Sequence, residues 1–596
     1  MNDTGLSLSM QPSLSSILFE ATNSEQKWVR RCLPAFPSSN DFFKKNKINY
    51  IFNVSPLAAK TFLESPARSS VLQKCIKCQA FPSFYCKFAN NNWICAVCGT
   101  KNSIKPQSFI PKQMNYDIIT GNEEKPLFLF VFQENDIIKD DEISSMIGNS
   151  LETWAKKVDV NVALVMIGEK LTYFDLKNPR AYTYFDINIP PLMICNSKDA
   201  KFSILFSSFH GGKNSISGTE FYIHLVELIK SIRQKNVCLS IFSTEIKSPV
   251  DIGKELKQIL FRRFSIHLFT SRNADCASFG KYCSRIRLFE LNSFHLVAPE
   301  LYQFLTSGIL FSPNIRVFVP PCLSVVQISS RKNMETDKIA LSSIDGQSSI
   351  IVDACSVSSP NSPSLVFQVS IFGIRPDGKK ILRVLNFETL STIDIDKFDG
   401  VVFGCYLARL CAVDSYYISY EEAYRNNRER NINLISAWSS KGYYRRSIPP
   451  IFRDVPLLMY ALQISNIFKS SSTPIEKIAT TINLMSLSIE YMTRLLYPIM
   501  IMHPLEFPNR LTKRTIGAFK FFVFIREFDG VALVLDEIDH DQEIQDLSIK
   551  YNVPITKYND EKLLKSFLIE DYSYNDESKF ANFTERLEVE VNGRRF

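Results

Sequence analysis

The sequence contains two closely spaced cysteine pairs, Cys75-Ile-Lys-Cys78 and Cys95-Ala-Val-Cys98, with sixteen residues between them. Two CxxC pairs at such a spacing are typical of a structural zinc site, in which four thiolates surround the metal as a tetrahedron. Gly99 follows the last cysteine and permits the tight turn of such a knuckle. The pattern predicts a zinc ribbon with a structural Zn²⁺ held by Cys75, Cys78, Cys95 and Cys98. With four protein ligands, the metal would stabilise the fold and carry no catalytic water.

The spacing leaves two other interpretations of these cysteines open. Free cysteine is a common small core residue, so the alternative to a metal site is four unrelated buried thiols. A redox CxxC is favoured less, because it needs one motif beside a βαβ unit rather than two paired motifs. Of the 14 cysteines, the ten outside the pairs form no disulfide framework, which indicates a reducing compartment.

Length and composition predict a large folded protein. A chain of 596 residues, 45% hydrophobic and 22% charged, is too long for one core and should form several domains. No stretch approaches the ~20 apolar residues of a membrane span. The first residues, Met1–Thr22, are rich in serine and lack the basic start and apolar block of a signal peptide. We therefore expect a soluble, cytoplasmic protein.

The net charge of +8 is spread thinly, but basic residues form local clusters. Solvated surface is the plainest interpretation, and contact with an anionic membrane surface is the more specific one. Nucleic acid would use the same charges, but the sequence shows no RNP-like motif or dense basic tail, so we expect no nucleic acid. The clusters are Lys44-Lys45-Asn46-Lys47, Arg262-Arg263, Arg425–Arg430, Arg445-Arg446 and Lys513-Arg514.

Residues 113–307 alternate between strand-like and helical patterns. Pro126–Phe132 and Asn161–Ile167 are continuous apolar runs, typical of strands buried on both faces. Helical periodicity separates such runs, which predicts an α/β domain with a mainly parallel sheet. The layout is similar to von Willebrand A domains, but Gln133-Glu-Asn-Asp136 lacks the serines of their Asp-x-Ser-x-Ser metal motif. No glycine-rich phosphate loop follows a strand either.

The remaining patterns divide the rest of the chain. Alternating runs around the turn Asp377-Gly378 predict a β-sandwich, helical periodicity dominates after it, and strands around Asp529-Gly530 open the last segment. The predicted units are a flexible tail (1–26), the first part of the β-sandwich (27–70), the zinc finger (71–112), an α/β trunk (113–307), the β-sandwich (308–394), a helical domain (395–505) and a terminal domain (506–596).

Residues around the cysteines resemble the zinc finger of the COPII inner-coat subunits. In that family an aromatic-rich arm follows the first knuckle, as in Gln79-Ala-Phe-Pro-Ser-Phe84, and Trp precedes the second by two residues, as Trp93 does here. The hairpin formed by Leu365–Phe372 and Ile381–Phe387 resembles the β-sandwich of the same proteins.

The helical segment resembles the cargo-adaptor subunit rather than its sister. Pro456–Leu462 and Arg494-Leu-Leu-Tyr-Pro498 match the adaptor, whereas the GTPase-stimulating sister subunit has Leu-Arg-Arg-Ser where this chain reads Leu462-Gln-Ile-Ser465. The last segment resembles the gelsolin-like module that ends these proteins. The implied fold class is multidomain α+β: a zinc ribbon, a von Willebrand A-like α/β trunk, a β-sandwich, an all-α helical domain and a gelsolin-like α/β domain.

The resemblance, which spans about 27–590, implies a coat adaptor that is not an enzyme and has no catalytic residues. It would pair with the GTPase-activating sister subunit, join the Sar small GTPase and the outer coat cage, and select cargo by its sorting signals for transport from the endoplasmic reticulum to the Golgi. It would be cytoplasmic, peripheral on the endoplasmic reticulum membrane and COPII vesicles. The alternatives are the GTPase-activating sister subunit itself and a nucleic-acid-binding zinc-ribbon protein.

Two departures from the family bear on function. The adaptor usually has a long Pro/Gln-rich N-terminal region, whereas this chain is divergent and short there. The family also tends to place a basic residue two positions after the last cysteine, beside a pocket for acidic cargo signals, and this chain has Thr100 there. Lys101 and Lys105 are the candidate cargo-binding residues, with solvated surface as their alternative role.

Overall fold

The computed structural model describes most of the chain as several packed units of α-helix and β-sheet. The predicted tail at 1–26 lies outside the described residues. Described are residues 28–559 together with 583 and 589, except for 60, 65–71, 90, 106–108, 135–139, 185–190, 208–215, 290–294, 330–336, 393–397, 440–451, 453, 503–520, 527–529 and 552.

The described strands are numbered in chain order. They are β1 (Val29–Arg31), β2 (Phe36–Pro37), β3 (Tyr50–Val54), β4 (Phe62–Glu64), β5 (Lys87–Ala89), β6 (Asn92–Ile94), β7 (Lys101–Ser103), β8 (Tyr116–Asn122), β9 (Leu127–Gln133), β10 (Asn161–Ile167), β11 (Leu171–Asp175), β12 (Arg180–Tyr184), β13 (Cys195–Asn196), β14 (Val237–Ser243), β15 (Phe264–Ser271), β16 (Arg285–Phe289), β17 (Ile309–Phe318), β18 (Leu323–Ser329), β19 (Lys338–Ala340), β20 (Ser343–Asp345), β21 (Ile350–Ser356), β22 (Ser364–Ile374), β23 (Lys379–Thr392), β24 (Ile499–Met502), β25 (Phe521–Ile525), β26 (Gly530–Val534) and β27 (Ile555–Tyr558).

The described α-helices are numbered in the same way. They are α1 (Asp41–Asn46), α2 (Asp141–Ala155), α3 (Phe202–Phe206), α4 (Gly218–Ser231), α5 (Lys254–Arg263), α6 (Ala277–Gly280), α7 (Val297–Thr306), α8 (Gly400–Tyr417), α9 (Tyr420–Ser439), α10 (Asp454–Ile464), α11 (Pro474–Ser486), α12 (Ile489–Leu496) and α13 (Asp541–Tyr551).

The trunk is built on a sheet with the order β12-β11-β10-β9-β14-β15-β16, and β13 pairs with β10. The pairs from β10 to β16 along this order are parallel, and β11 and β12 extend the sheet antiparallel at one edge. Every residue of β9 is buried because helices cover both faces of the sheet. The predicted α/β domain with a mainly parallel sheet is therefore confirmed.

The sandwich consists of two sheets that enclose one core. One sheet has the order β1-β3-β21-β18, and the other has the order β19-β17-β22-β23-β8-β4, with β2 and β20 at its sides. Strand β8 pairs antiparallel with β23, so Tyr116–Asn122 belongs to the sandwich. The predicted start of the trunk at residue 113 is wrong for this reason, since β8 pairs with a strand of the sandwich rather than with one of the trunk.

The helical domain packs against both preceding units. Ile475, Ile478 and Ile482 of α11 join the apolar cluster of the trunk, while α8 lies against the sandwich. After α12, strand β24 pairs antiparallel with β25 in a terminal sheet of order β24-β25-β26-β27. The predicted end of the helical domain at residue 505 is therefore too late, because Ile499–Met502 already belongs to that sheet.

Among the described residues, the helices are either too short or too polar to cross a bilayer. Two of the predicted basic clusters, Arg445-Arg446 and Lys513-Arg514, lie outside the described residues.

One buried side chain, Arg409 of α8, connects the helical domain to the sandwich. Its guanidinium is fully buried and donates to the carbonyl oxygens of Leu484 (3.1 Å) and Ser349 (3.0 Å) and to that of Leu487. Ser349 precedes β21, whereas Leu484 lies in α11 and Leu487 follows that helix. Burial lowers the pKa of Arg409 to about 9, so the group stays charged at neutral pH.

We expect Arg409→Met to lower the free energy of unfolding by about 3 kcal/mol, because the apolar side chain leaves several buried carbonyls without a donor. Hydrogen exchange should rise in α11 and at the start of β21. Arg425→Met is the matched control, since Arg425 is an exposed residue of α9 and should change stability by less than about 0.5 kcal/mol. Equal denaturation midpoints for the two variants would contradict the assigned role of Arg409.

Candidate metal centre

The four predicted cysteines meet at one point on the finger, the unit formed by the two knuckles and the sheet β5-β6-β7. Their sulfur atoms all lie within 4.8 Å of one another, in a group that could hold a metal ion. Sγ of Cys75 lies 3.5 Å from Sγ of Cys98, and Sγ of Cys78 lies 3.6 Å from Sγ of Cys95. A tetrahedron with Zn–S bonds of about 2.3 Å has edges of ~3.8 Å, so the donor set fits a zinc ion.

The two knuckles have the same backbone geometry. The N–H of Cys75 donates to the carbonyl of Ala80 (2.8 Å), and the N–H of Cys95 donates to the carbonyl of Thr100 (2.9 Å). The fourth residue after each first cysteine is left-handed, with φ of +66° at Gln79 and +72° at Gly99. In the second knuckle this position is occupied by a glycine, as the sequence predicts. In the first knuckle the equivalent position, four residues after the first cysteine, is Gln79.

Asn102 connects the two knuckles and was not identified from the sequence. Its Oδ1 accepts a hydrogen bond from the N–H of Ile76 (2.9 Å), and its Nδ2 donates to the carbonyl of Thr100 (2.8 Å). Nδ2 also lies 3.6 Å from Sγ of Cys75. The side chain is buried, so these bonds fix the position of one sulfur relative to the other knuckle. A lone asparagine in a short strand gives no sequence signal of this role.

Thr100 occupies the position where the family resemblance predicts a basic residue, and its side chain faces the four cysteines. Its Oγ1 lies 3.2 Å from Sγ of Cys98. When Cys98 is a thiolate, the hydroxyl is the donor of this pair, which stabilises the negative sulfur. Thr100 therefore supports the ligand set instead of presenting a charge to solvent.

The pKa values of these cysteine thiols differ because their sulfur atoms lie close together. Hydrogen bonding from Cys95 lowers the pKa of the Cys78 thiol to about 5, and the same pairing raises the pKa of Cys95. Burial raises the pKa of Cys98. Only a cation placed among the sulfurs would favour four thiolates at once, as the metal in a Cys₄ site does.

The sandwich fixes the position of the finger through a buried glutamine. Gln368 of β22 accepts a hydrogen bond from the N–H of Phe81 (2.7 Å) and donates to its carbonyl (2.9 Å), as a neighbouring strand would. The hydroxyl of Tyr116 donates to the carbonyl of Pro82 (2.7 Å). These bonds hold the aromatic arm after the first knuckle, while Trp93 is buried in the core of the finger.

The candidate cargo residues lie on the outer surface of the finger. Lys101 is the first residue of β7 and is exposed, and Lys105, two residues past the end of that strand, is also exposed. Lys101 follows the second knuckle directly and is held by the pairing of β7 with β6, in which it lies opposite Ile94.

Strand β9 is the first strand of the trunk in chain order, and the side chain of its last residue makes hydrogen bonds within the protein. At the carboxyl end of β9, Gln133 donates to the carbonyl of Ile216 (3.2 Å) and accepts from the hydroxyl of Ser243 (2.6 Å). Gln133 is the first residue of the segment Gln133-Glu-Asn-Asp136, which lacks the serines of the adhesion-type metal motif.

Comparison with known proteins found sequence similarity to Sec24 proteins over a short segment. No protein-family model matches the sequence. The chain is 28% identical over 92 residues to protein transport protein sec24 of Neurospora crassa, covering 15% of this chain and 10% of that protein. It is 27% identical over 105 residues to protein transport protein SEC24 of Podospora anserina, covering 17% of this chain and 11% of that protein. The matches thus span about a tenth of each relative's length.

Structural comparison found a similar fold along nearly the whole chain. The crystal structure of the human COPII-coat protein Sec24c covers 96% of this chain and 94% of its own, with a TM-score of 0.77 and 12% sequence identity. The resemblance to COPII inner-coat subunits is thereby confirmed at the level of the fold, including the multidomain α+β class.

Proposed function

We propose that this chain is a COPII coat adaptor that selects cargo for transport from the endoplasmic reticulum to the Golgi and is not an enzyme. The observation that carries the proposal is the match to the fold of Sec24c over 96% of this chain and 94% of that one. The match extends over nearly all of both chains rather than over one unit of this chain alone. The short sequence matches to two fungal Sec24 proteins point the same way.

In this role the chain would act by binding several partners at once. These would be the GTPase-activating sister subunit, the Sar small GTPase, the outer coat cage, cargo sorting signals and an anionic membrane surface, but no nucleic acid. The protein would be cytoplasmic and peripheral on the endoplasmic reticulum membrane and COPII vesicles. Exposed basic residues such as Lys44 and Lys45 of α1 would add weak attraction to anionic lipid, screened over ~8 Å at physiological salt.

A structural Zn²⁺ bound by Cys75, Cys78, Cys95 and Cys98 would hold the finger in place for this role. The four-sulfur donor set within 4.8 Å supports the assignment. Asn102 and Thr100 would orient and stabilise the thiolates. The metal would supply folding energy only, since all four positions are taken by protein ligands.

We expect one zinc ion per chain, measured by elemental analysis of the purified protein. Cys98→Ser should lose most of the metal and increase hydrogen exchange across residues 72–105, while exchange in the helical domain should stay unchanged. Cys86→Ser is the matched control, because this buried cysteine lies in the same core but outside the metal group. A metal content well below one per chain, or equal effects of the two substitutions, would contradict the site.

Pairing with the sister subunit tests the proposed function as a whole. Mixed at micromolar concentration, the two proteins should elute together as a 1:1 complex in size-exclusion chromatography with light scattering. The chain alone should not accelerate GTP hydrolysis by the Sar GTPase, because in the proposed role the arginine finger would come from the sister subunit. Separate elution would contradict the adaptor assignment, and stimulation by the chain alone would assign it to the GTPase-activating subunit.

Recognition of acidic sorting signals would depend on Lys101 and Lys105. Both are exposed beside the metal knuckle, but lysine lacks the bidentate fork of arginine, and Thr100 contributes no charge. We therefore expect acidic signal peptides to bind weakly, and Lys101→Ala with Lys105→Ala to reduce their affinity by about tenfold, or ~1.4 kcal/mol.

A peptide titration by fluorescence anisotropy measures this effect. Lys44→Ala with Lys45→Ala is the matched control, because it removes the same charge from exposed positions on α1. If both double variants bind acidic peptides as the unchanged protein does, the finger lysines are not the site. If both lose affinity equally, the interaction depends only on net charge.

A further inference from the structure

An apolar cleft lies where the trunk meets the sandwich. Its volume is about 460 Å³, which is within the range of sites that hold small molecules. The walls are formed by buried side chains: Phe128 of β9, Trp154 of α2, Phe304 and Leu305 of α7, and Ile309 of β17. A cleft lined in this way favours an apolar occupant over water.

Two polar side chains, Lys157 and Tyr302, contribute to the lining of the cleft. Nζ of Lys157 donates to Oη of Tyr302 over 2.7 Å, and Lys157 is exposed. Because the phenol oxygen accepts this hydrogen bond, its own proton is available to a second acceptor. An ammonium and a phenol side by side offer two donors to one anionic group.

The charges that flank Lys157 in sequence have other partners. Lys156 pairs with Glu152 at 2.9 Å. Asp159 accepts from Lys125 (2.7 Å) and from Asn196 (2.6 Å). Lys157 therefore contributes a positive charge to the edge of the cleft, which is complementary to a negative ligand.

The geometry points to a binding site for a small apolar monocarboxylate such as a medium-chain fatty acid. The alkyl chain would fill the space between Trp154 and Phe304, and its carboxylate would accept hydrogen bonds from Lys157 and Tyr302. A peptide fits this lining less well, because its backbone N–H and C=O groups would need partners inside the cleft. The hydroxyl of Thr306, a further polar group of the lining, already donates to the carbonyls of Tyr302 (2.8 Å) and Gln303 (3.1 Å).

Isothermal titration of the full chain with decanoate tests this site. We expect saturable 1:1 binding below the critical micelle concentration, and a change in tryptophan emission because Trp154 lines the cleft. Decanol, which has the same chain without the charge, should bind at least tenfold more weakly. A peptide ending in Phe-Phe with a free carboxylate carries the same apolar and anionic groups. Its titration therefore distinguishes a peptide ligand from a fatty acid.

Variants locate the binding site. Lys157→Met should weaken decanoate at least tenfold and leave decanol unchanged, whereas Lys156→Met, the matched control on the neighbouring exposed lysine, should change neither. Tyr302→Phe should weaken decanoate by several-fold, and Val158→Trp, at a half-buried lining position, should abolish binding of both ligands. Unchanged thermal melting shows that each variant is folded.

Three results would overturn the proposal. These are no saturable binding of decanoate, equal affinity of decanoate for the Lys157→Met and Lys156→Met variants, and saturable binding of the peptide without binding of decanoate.

Discussion

The packing of the helical domain against the sandwich depends on one buried cation, the guanidinium of Arg409. Arg409 is fully buried, and its guanidinium donates to carbonyls that end or precede regular elements of both units. Such carbonyls have no partner within their own helix or sheet, so the guanidinium supplies hydrogen bonds that the backbone lacks. The backbone adds to the same contact, because the N–H of Ser349 donates to the carbonyl of Ser486 (2.9 Å) and that of Ser488 to the carbonyl of Gln347 (2.8 Å). Helical domain and sandwich are therefore joined by both side-chain and backbone hydrogen bonds.

A similar arrangement holds the finger, where a polar side chain from a neighbouring unit completes the backbone hydrogen bonds. Gln368 bonds both polar groups of Phe81 and also donates to Oδ1 of Asn386 (2.9 Å), so the arm of the finger behaves as an extra strand of the sandwich. The metal centre sits at the other end of that arm. Zinc would order the two knuckles, and Gln368 would hold the arm of the finger against the sandwich. Because the larger sheets do not contain the metal ligands, loss of metal should increase the mobility of the finger without unfolding those sheets.

Local patterns in the sequence predicted the units but not the contacts between them. The apolar run at β9 and the cysteine spacing correctly predict a buried strand and a cluster of four cysteines that could hold a metal, because both depend on nearby residues alone. The boundary at residue 113 is wrong because β8 finds its partner, β23, more than 250 residues later in the chain. Asn102, Gln368 and Arg409 are single polar residues whose function depends on what the fold brings next to them. No periodicity or motif marks such residues, so they become visible only in the structure.

The low identity to Sec24c and the shared fold have a common physical origin. A fold of this kind depends on which positions are buried and on a small number of buried polar contacts, and many sequences satisfy both conditions. The outer surface of the finger is under no such constraint, and there Thr100 has turned toward the sulfur of Cys98 while Lys101 remains exposed. The fold can therefore be retained while the exposed residues of the finger change. A shared fold at 12% identity does not fix the side chains on this surface, so what the finger binds must be determined from residues such as Lys101 themselves.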